Sequence, residues 1–191
     1  MDNFIMGLKL GRQDDYTAWL IAKVLDKVPA QKPVLRIRDM ERARDMPYPK
    51  IVSHTRKLLE SELLRGFTTT LIVDCTDVGR AVLDMFRDAE LEPVVVTLTD
   101  GGKVTRAGGE YQVPKNDLVG AVYALGKAGR LQYSYGIPLY KLLECELLSY
   151  QGKITPEGTV TESRRREGEH DDILCALSLV CWYQEGGYEV G

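Results

Sequence analysis

No apolar run in this sequence approaches the roughly 20 residues that a membrane helix needs. The opening Met1-Asp2-Asn3-Phe4-Ile5-Met6 lacks the basic region and long apolar stretch of a secretion signal. There is no CxxC pair: Cys75, Cys145, Cys175 and Cys181 lie far apart or inside apolar runs. Such thiols fit a reducing compartment and argue against a disulfide frame or a zinc site. A cytoplasmic protein with no membrane partner is the expectation. Neither histidine has a zinc-ligand spacing, and His54 sits in an amphipathic stretch where a surface or core role is the plainer reading. A GxxxxGK[ST] phosphate loop is missing, so no Walker-type motor is expected. A GxSxG or Cys–His signature of covalent hydrolysis is missing too. Internal repeats, low-complexity tracts and domain linkers are likewise absent.

What remains is ordinary for one α/β domain spanning residues 1–191. The chain has 191 residues, 44% hydrophobic and 28% charged, enough to bury a real core. A net charge of −3 means that the molecule as a whole does not attract nucleic acid. Charge is uneven, however. Arg36, Arg38, Arg42 and Arg44 recur through one stretch, and Arg164-Arg165-Arg166 form a run. Basic patches of this kind are compatible with DNA binding around an acidic site, and equally with solvated surface arginines.

The periodicity changes along the chain. Phe4–Leu10, Thr17–Val28 and Val34–Arg38 read as three strands of an antiparallel meander. From Pro49 to Arg65 the apolar residues take helical spacing, ending at Gly66. Thr68–Val73 is a β-branched run too apolar to be exposed, the mark of a buried parallel strand ending at Asp74. A helix over Val78–Ala89 and a strand at Val94–Leu98 complete a βαβ crossover. The glycine-rich Gly101–Gln112 reads as a hairpin or loop. Helices follow at Lys115–Ala128 and Leu139–Tyr150, then a hairpin-like stretch at Gly152–Thr161. The last helix, Asp171–Tyr183, is apolar on nearly every side and must be buried against the sheet. Three antiparallel strands followed by two joined through a helix is the element order of an RNase H-like fold: a mixed five-stranded sheet flanked by helices.

Several carboxylates stand where chemistry is done. Asp74 ends the central strand, and Asp77 follows three residues later. Each also suits a turn or a helix cap. Asp171 and Asp172 open the buried last helix, where acids cap amides and complement the dipole. If that helix packs beside Asp74, the acids converge and repel unless a cation sits among them. An oxygen-only set suits Mg²⁺ or Mn²⁺. The matching chemistry is phosphodiester hydrolysis with two ions about 4 Å apart. A weaker alternative is phosphate binding at the Asp77-Val78-Gly79-Arg80 helix start.

These residues resemble a known family. Leu71-Ile72-Val73-Asp74-Cys75-Thr76-Asp77-Val78-Gly79-Arg80 is similar to the strand–turn–helix segment of the nuclease domain of phage terminase large subunits. Glu169-His170-Asp171-Asp172-Ile173-Leu174-Cys175-Ala176-Leu177 resembles that family's closing His-Asp-Asp motif. Val113-Pro114-Lys115-Asn116-Asp117-Leu118-Val119 and Gly129-Arg130-Leu131 resemble stretches between the two, and Gly7 to Ala18 resembles the opening strand and turn. The likeness runs the length of the chain in the right order.

The resemblance implies a two-metal endonuclease of viral DNA packaging, acting on double-stranded DNA. By position Asp74, Asp171 and Asp172 would be catalytic and hold the Mg²⁺ or Mn²⁺, with Asp77 as an additional ligand. Lys115, Arg164, Arg165 and Arg166 are the charge-based candidates for phosphate contact. A terminase ATPase motor or a portal protein would be the partner, since no motor sequence occurs here. One departure bears on activity. Where the family has Gly-x-Asp-x-Gly, this chain has Gly7-Leu8-Lys9-Leu10-Gly11. In RNase H-like enzymes that aspartate bridges the metals. A lysine there repels cations, and a partner for it is expected in Asp74. Hence two readings stand: a metal-dependent endonuclease, and an inactive relative serving DNA binding or assembly.

Overall fold

The computed structural model describes residues 3–11, 15–25, 32–76, 78, 80–133, 136–151, 171–186 and 188. The meander forms as read: β1 (Asn3–Lys9), β2 (Tyr16–Leu25) and β3 (Val34–Arg44) pair antiparallel in sequence. β3 runs beyond Arg38, because a bulge between Ile21 and Ala22 in the β2 register leaves Arg38 without an opposite residue and lets pairing resume at Asp39. Helix α1 (Tyr48–Leu59) starts behind Pro47 with a proline in its first turn, where no amide bond is lost. It ends six residues before Arg65, and the following turns close at Gly66, whose φ of 83° suits glycine. Strand β4 (Thr68–Asp74), helix α2 (Arg80–Asp88) and strand β5 (Val94–Thr99) form the crossover.

The glycine-rich segment is a hairpin, β6 (Thr105–Ala107) and β7 (Glu110–Pro114), and it joins the sheet. Then come α3 (Lys115–Lys127), the two-residue β8 (Leu131–Gln132), α4 (Tyr140–Gln151) and α5 (Asp172–Gln184). The sheet has eight strands in the order β6-β7-β5-β4-β1-β2-β3-β8. The expected five form its continuous centre, and three short strands extend both edges. β7 adds parallel to β5 and β8 parallel to β3. Strands of three, five and two residues are too short to carry a readable alternation. The expected hairpin at Gly152–Thr161 lies outside the described residues.

Two cores sandwich the sheet. One face packs Phe4, Met6, Leu8 and Trp19 against α1 and α2; the other packs Ile5, Leu20, Ile37 and Ile72 against α3 and α5. Helix α5 crosses β1 so closely that a Cβ on Gly7 would collide with the Ala176 carbonyl oxygen. That approach sets the start of α5 beside the carboxyl ends of β1 and β4. Among the described residues no helix is long and apolar enough to cross a membrane.

Candidate functional site

The parallel register of β1 and β4 places Lys9 directly opposite Asp74 at the carboxyl end of both strands. Asp74 turns back on its own chain: Oδ1 accepts the Thr76 amide at 2.9 Å and the Thr76 hydroxyl, while Oδ2 accepts the Cys175 thiol at 3.6 Å. Thr76 is itself fixed, its Oγ1 accepting the Leu98 amide at 2.7 Å. Burial pushes the Asp74 carboxyl above the usual carboxylate range, against the opposing pull of Thr76, Cys175 and the Lys9 charge.

Lys9 does not bond to Asp74. Its ammonium donates to Asp172 Oδ1 at 2.7 Å, to Asp15 Oδ2 at 2.8 Å and to the Tyr16 carbonyl at 3.2 Å. All three of its donors are thereby used. Burial alone would lower the pKa of this lysine, but the hydrogen bonds and charges of Asp15 and Asp172 outweigh it and hold the value above normal. Asp172 is engaged on both oxygens, since Oδ2 accepts Arg42 Nη2 at 3.0 Å. Its side chain is 1% exposed. The Arg42 guanidinium lies over the Tyr16 ring, 3.4 Å from its centroid.

Near this ion pair sits a residue that no motif in the sequence marks. Glu146 of α4 is buried, and its Oε2 accepts the Leu174 amide at 2.8 Å, closing one of the open donors at the start of α5. Its Oε1 is buried with no partner among the described residues. Burial raises the Glu146 pKa to about 7; the Leu174 bond and Arg42 oppose that shift, and Asp172 and Asp171 reinforce it. Glu146 follows Leu143 by three residues on a helix, which puts it on the apolar face. Arg42 follows Met40 by two on a strand, which turns it to the α5 side. Those spacings are the only sequence signals of either role.

Asp171 occupies the N-cap position of α5 without capping it by a side-chain bond. It lines a cleft of about 90 Å³ together with Lys9, Asp15, Asp74, Lys115 and Cys175. Two of the expected acids, Asp74 and Asp171, thus share one cleft with Lys115, while Asp172 lies beneath it. Lys115 is half exposed and stands 3.5 Å from Asp100. Asp77, Arg164, Arg165 and Arg166 lie outside the described residues.

Among the described residues no three His, Cys, Asp or Glu side chains are placed to hold an ion together. An ammonium stands among the acids, and Asp172 has no free oxygen. Among the described residues this donor set does not fit a divalent metal pair.

No family model matches the chain, and no curated protein matches it. Solved structures share its fold over nearly the whole length, among them two large terminase nucleases. The large terminase nuclease from thermophilic phage G20c matches with a TM-score of 0.58 and 18% identity, covering 96% of this chain and 82% of that one. The nuclease domain of the P22 large terminase matches with a TM-score of 0.58 and 13% identity, covering 98% and 82%. The mixed sheet with its flanking helices is therefore RNase H-like, a fold shared with these large terminase nucleases.

Proposed function

We propose that this chain is a terminase-nuclease-type module that engages DNA in viral packaging without cutting it, its carboxylate site being held closed by an internal cation. The observation that carries this reading is the Lys9 ammonium, 2.7 Å from Asp172 and 2.8 Å from Asp15. Buried carboxylates gathered at one point need positive charge among them. Here a side chain supplies it covalently, so the fold keeps its acids without recruiting Mg²⁺ or Mn²⁺. Under this reading the module works in the cytoplasm of an infected cell, alongside a terminase motor or portal protein.

The experiment is nicking and linearisation of supercoiled plasmid in Mn²⁺, in Mg²⁺ and in EDTA. The protein is expected to leave the plasmid intact in all three. Lys9→Asp returns a carboxylate to the β1 position and is expected to yield metal-dependent nicking that Asp74→Ala, added to it, abolishes.

A second reading, a Mg²⁺- or Mn²⁺-dependent endonuclease acting on double-stranded DNA, draws support from one feature. Asp74 and Asp171 open onto the same cleft as Lys115, so two carboxylates able to take a cation stand beside a lysine able to meet a phosphate. Metal-dependent cutting by the unaltered chain, lost in Asp74→Ala, would establish this reading and overturn the first.

A further inference from the structure

The cleft is a poor magnet for a polynucleotide. Its lining sets Asp15, Asp74 and Asp171 against Lys9 and Lys115, so a phosphate meets net negative charge there. The opposite balance occurs at the β3 edge. A groove of about 790 Å³ is lined by Arg36, Arg38, Leu131, Gln132, Tyr133 and Ile137, with no carboxylate among the described residues that form it. Arg36 is exposed, and its Nε and Nη2 both donate to Gln132 Oε1, at 3.2 and 3.0 Å. The acceptor is neutral, so the guanidinium is held in place with its charge uncompensated. Arg38, at the bulge, is exposed and makes no ion pair or hydrogen bond with the described residues.

Beside these cations lies an aromatic platform. Tyr133 is 43% exposed, and its ring is backed by Tyr140 at 5.1 Å between centroids. β8 pairs with β3 only at Leu35 and Arg36, so among the described residues the groove side of β3 beyond that point is open. One fixed guanidinium and a second exposed one for phosphates, with an exposed, supported ring for a base, are the elements that bind a single polynucleotide strand. A duplex keeps its base faces stacked and can use only the cations.

We infer that the β3–β8 edge groove binds a single-stranded nucleic acid segment, with Arg36 and Arg38 on its phosphates and Tyr133 against an unpaired base. The inference rests on the reading of the chain as a DNA-engaging module, and it places the contact away from the carboxylate cleft.

The test is fluorescence anisotropy with an oligonucleotide of about 12 nucleotides, within the usual site range, against a duplex of the same sequence, at several salt concentrations. The single strand is expected to bind more tightly than the duplex. The double variant Arg36→Ala/Arg38→Ala is expected to flatten the slope of log K against log salt by about 1.4, from about 0.7 per phosphate contact on single strands. Arg36→Lys/Arg38→Lys should keep the slope. Tyr133→Ala should weaken single-strand binding roughly tenfold, by loss of one stacked base; Tyr133→Phe should bind as the unaltered chain. These side chains are exposed, and an unchanged melting temperature confirms that each variant is folded. Salt-sensitive binding unaffected by all of these changes would overturn the groove assignment alone. Equal affinity for duplex and single strand would overturn the stacking role. No binding to either nucleic acid would overturn both the groove and the DNA-engaging reading.

Discussion

Lys9 and Asp172, 163 positions apart in the chain, meet at 2.7 Å and tie the end of β1 to the start of α5. Both are buried, and Arg42 completes the pair on the far side of the carboxylate at 3.0 Å. One acid thus answers two cations, with Asp15 supplying the second negative charge at Lys9. The residue that would disable a metal site is also the one that holds the two elements of that site together.

Asp172 should therefore be the more sensitive half. Asp172→Ala leaves the buried Lys9 and the partly buried Arg42 short of a partner, and loss of one member of a buried ion pair costs about 3–5 kcal/mol. Lys9→Met leaves Asp172 still paired with Arg42 and fills the space with an apolar chain. Urea unfolding should show the larger fall in midpoint for Asp172→Ala. Equal losses would mean that Arg42 draws nothing from Asp172.

Lys9→Asp inverts the charge balance. Asp15, Asp74, Asp171 and Asp172 then face a fifth acid with, among the described residues, Arg42 and Lys115 to offset them, and mutual repulsion should lower the melting temperature in EDTA. Mn²⁺ at about one hundred times its dissociation constant adds about 2.7 kcal/mol, or roughly 5–10 °C for a domain of this size. The unaltered chain should show no such rise. A matching rise in both proteins would place the ion elsewhere.

Much of this arrangement is visible in the sequence, and the reasons for the gaps are physical. The strands β1 to β5 have runs long enough for their periodicity to show, and the apolar circumference of 172–184 can only be buried. Asp74 falls at a strand end because its run stops there. The partner of Lys9 is different. A parallel register makes Asp74 its neighbour, yet the Thr76 turn draws that carboxylate away, and the ammonium turns to Asp15 and Asp172. Such a choice depends on side-chain directions at three elements. β8 has no periodicity to read, and Glu146 is an acid on an apolar face whose partner amide lies 28 residues further on.

Gly7 controls how near α5 can come. An alanine there meets the Ala176 carbonyl, which is backbone and cannot swing aside, and the Val180 side chain. The helix must move outward from β1, and overpacking of this kind costs about 1–3 kcal/mol. Gly7→Ala should lower the melting temperature and, by lifting the start of α5, weaken the Lys9–Asp172 contact. The added effect of Lys9→Met should then be smaller in the Gly7→Ala background than alone. Full additivity would show that α5 keeps its place.

Glu146 gives the fold a pH dependence with a definite sign. Its folded pKa of about 7 lies above the ordinary 4.5, so the folded chain holds this proton more tightly than the unfolded chain. Below pH 4.5 the group is protonated in both states and carries no penalty. As pH rises from 4.5 to about 7 the unfolded chain gives up the proton first, and the folded state loses stability by an amount on the order of 2–3 kcal/mol. The loss levels off about one pH unit above 7, once the folded chain has given up the proton too. Glu146→Gln keeps an oxygen for the Leu174 amide but never ionises. The variant should match the unaltered chain at pH 4 and exceed it in stability at pH 8, with the difference growing between those limits in paired urea titrations. A difference that is the same at both pH values would mean that Glu146 stays ionised inside the fold, with its buried oxygen satisfied by a group other than a proton.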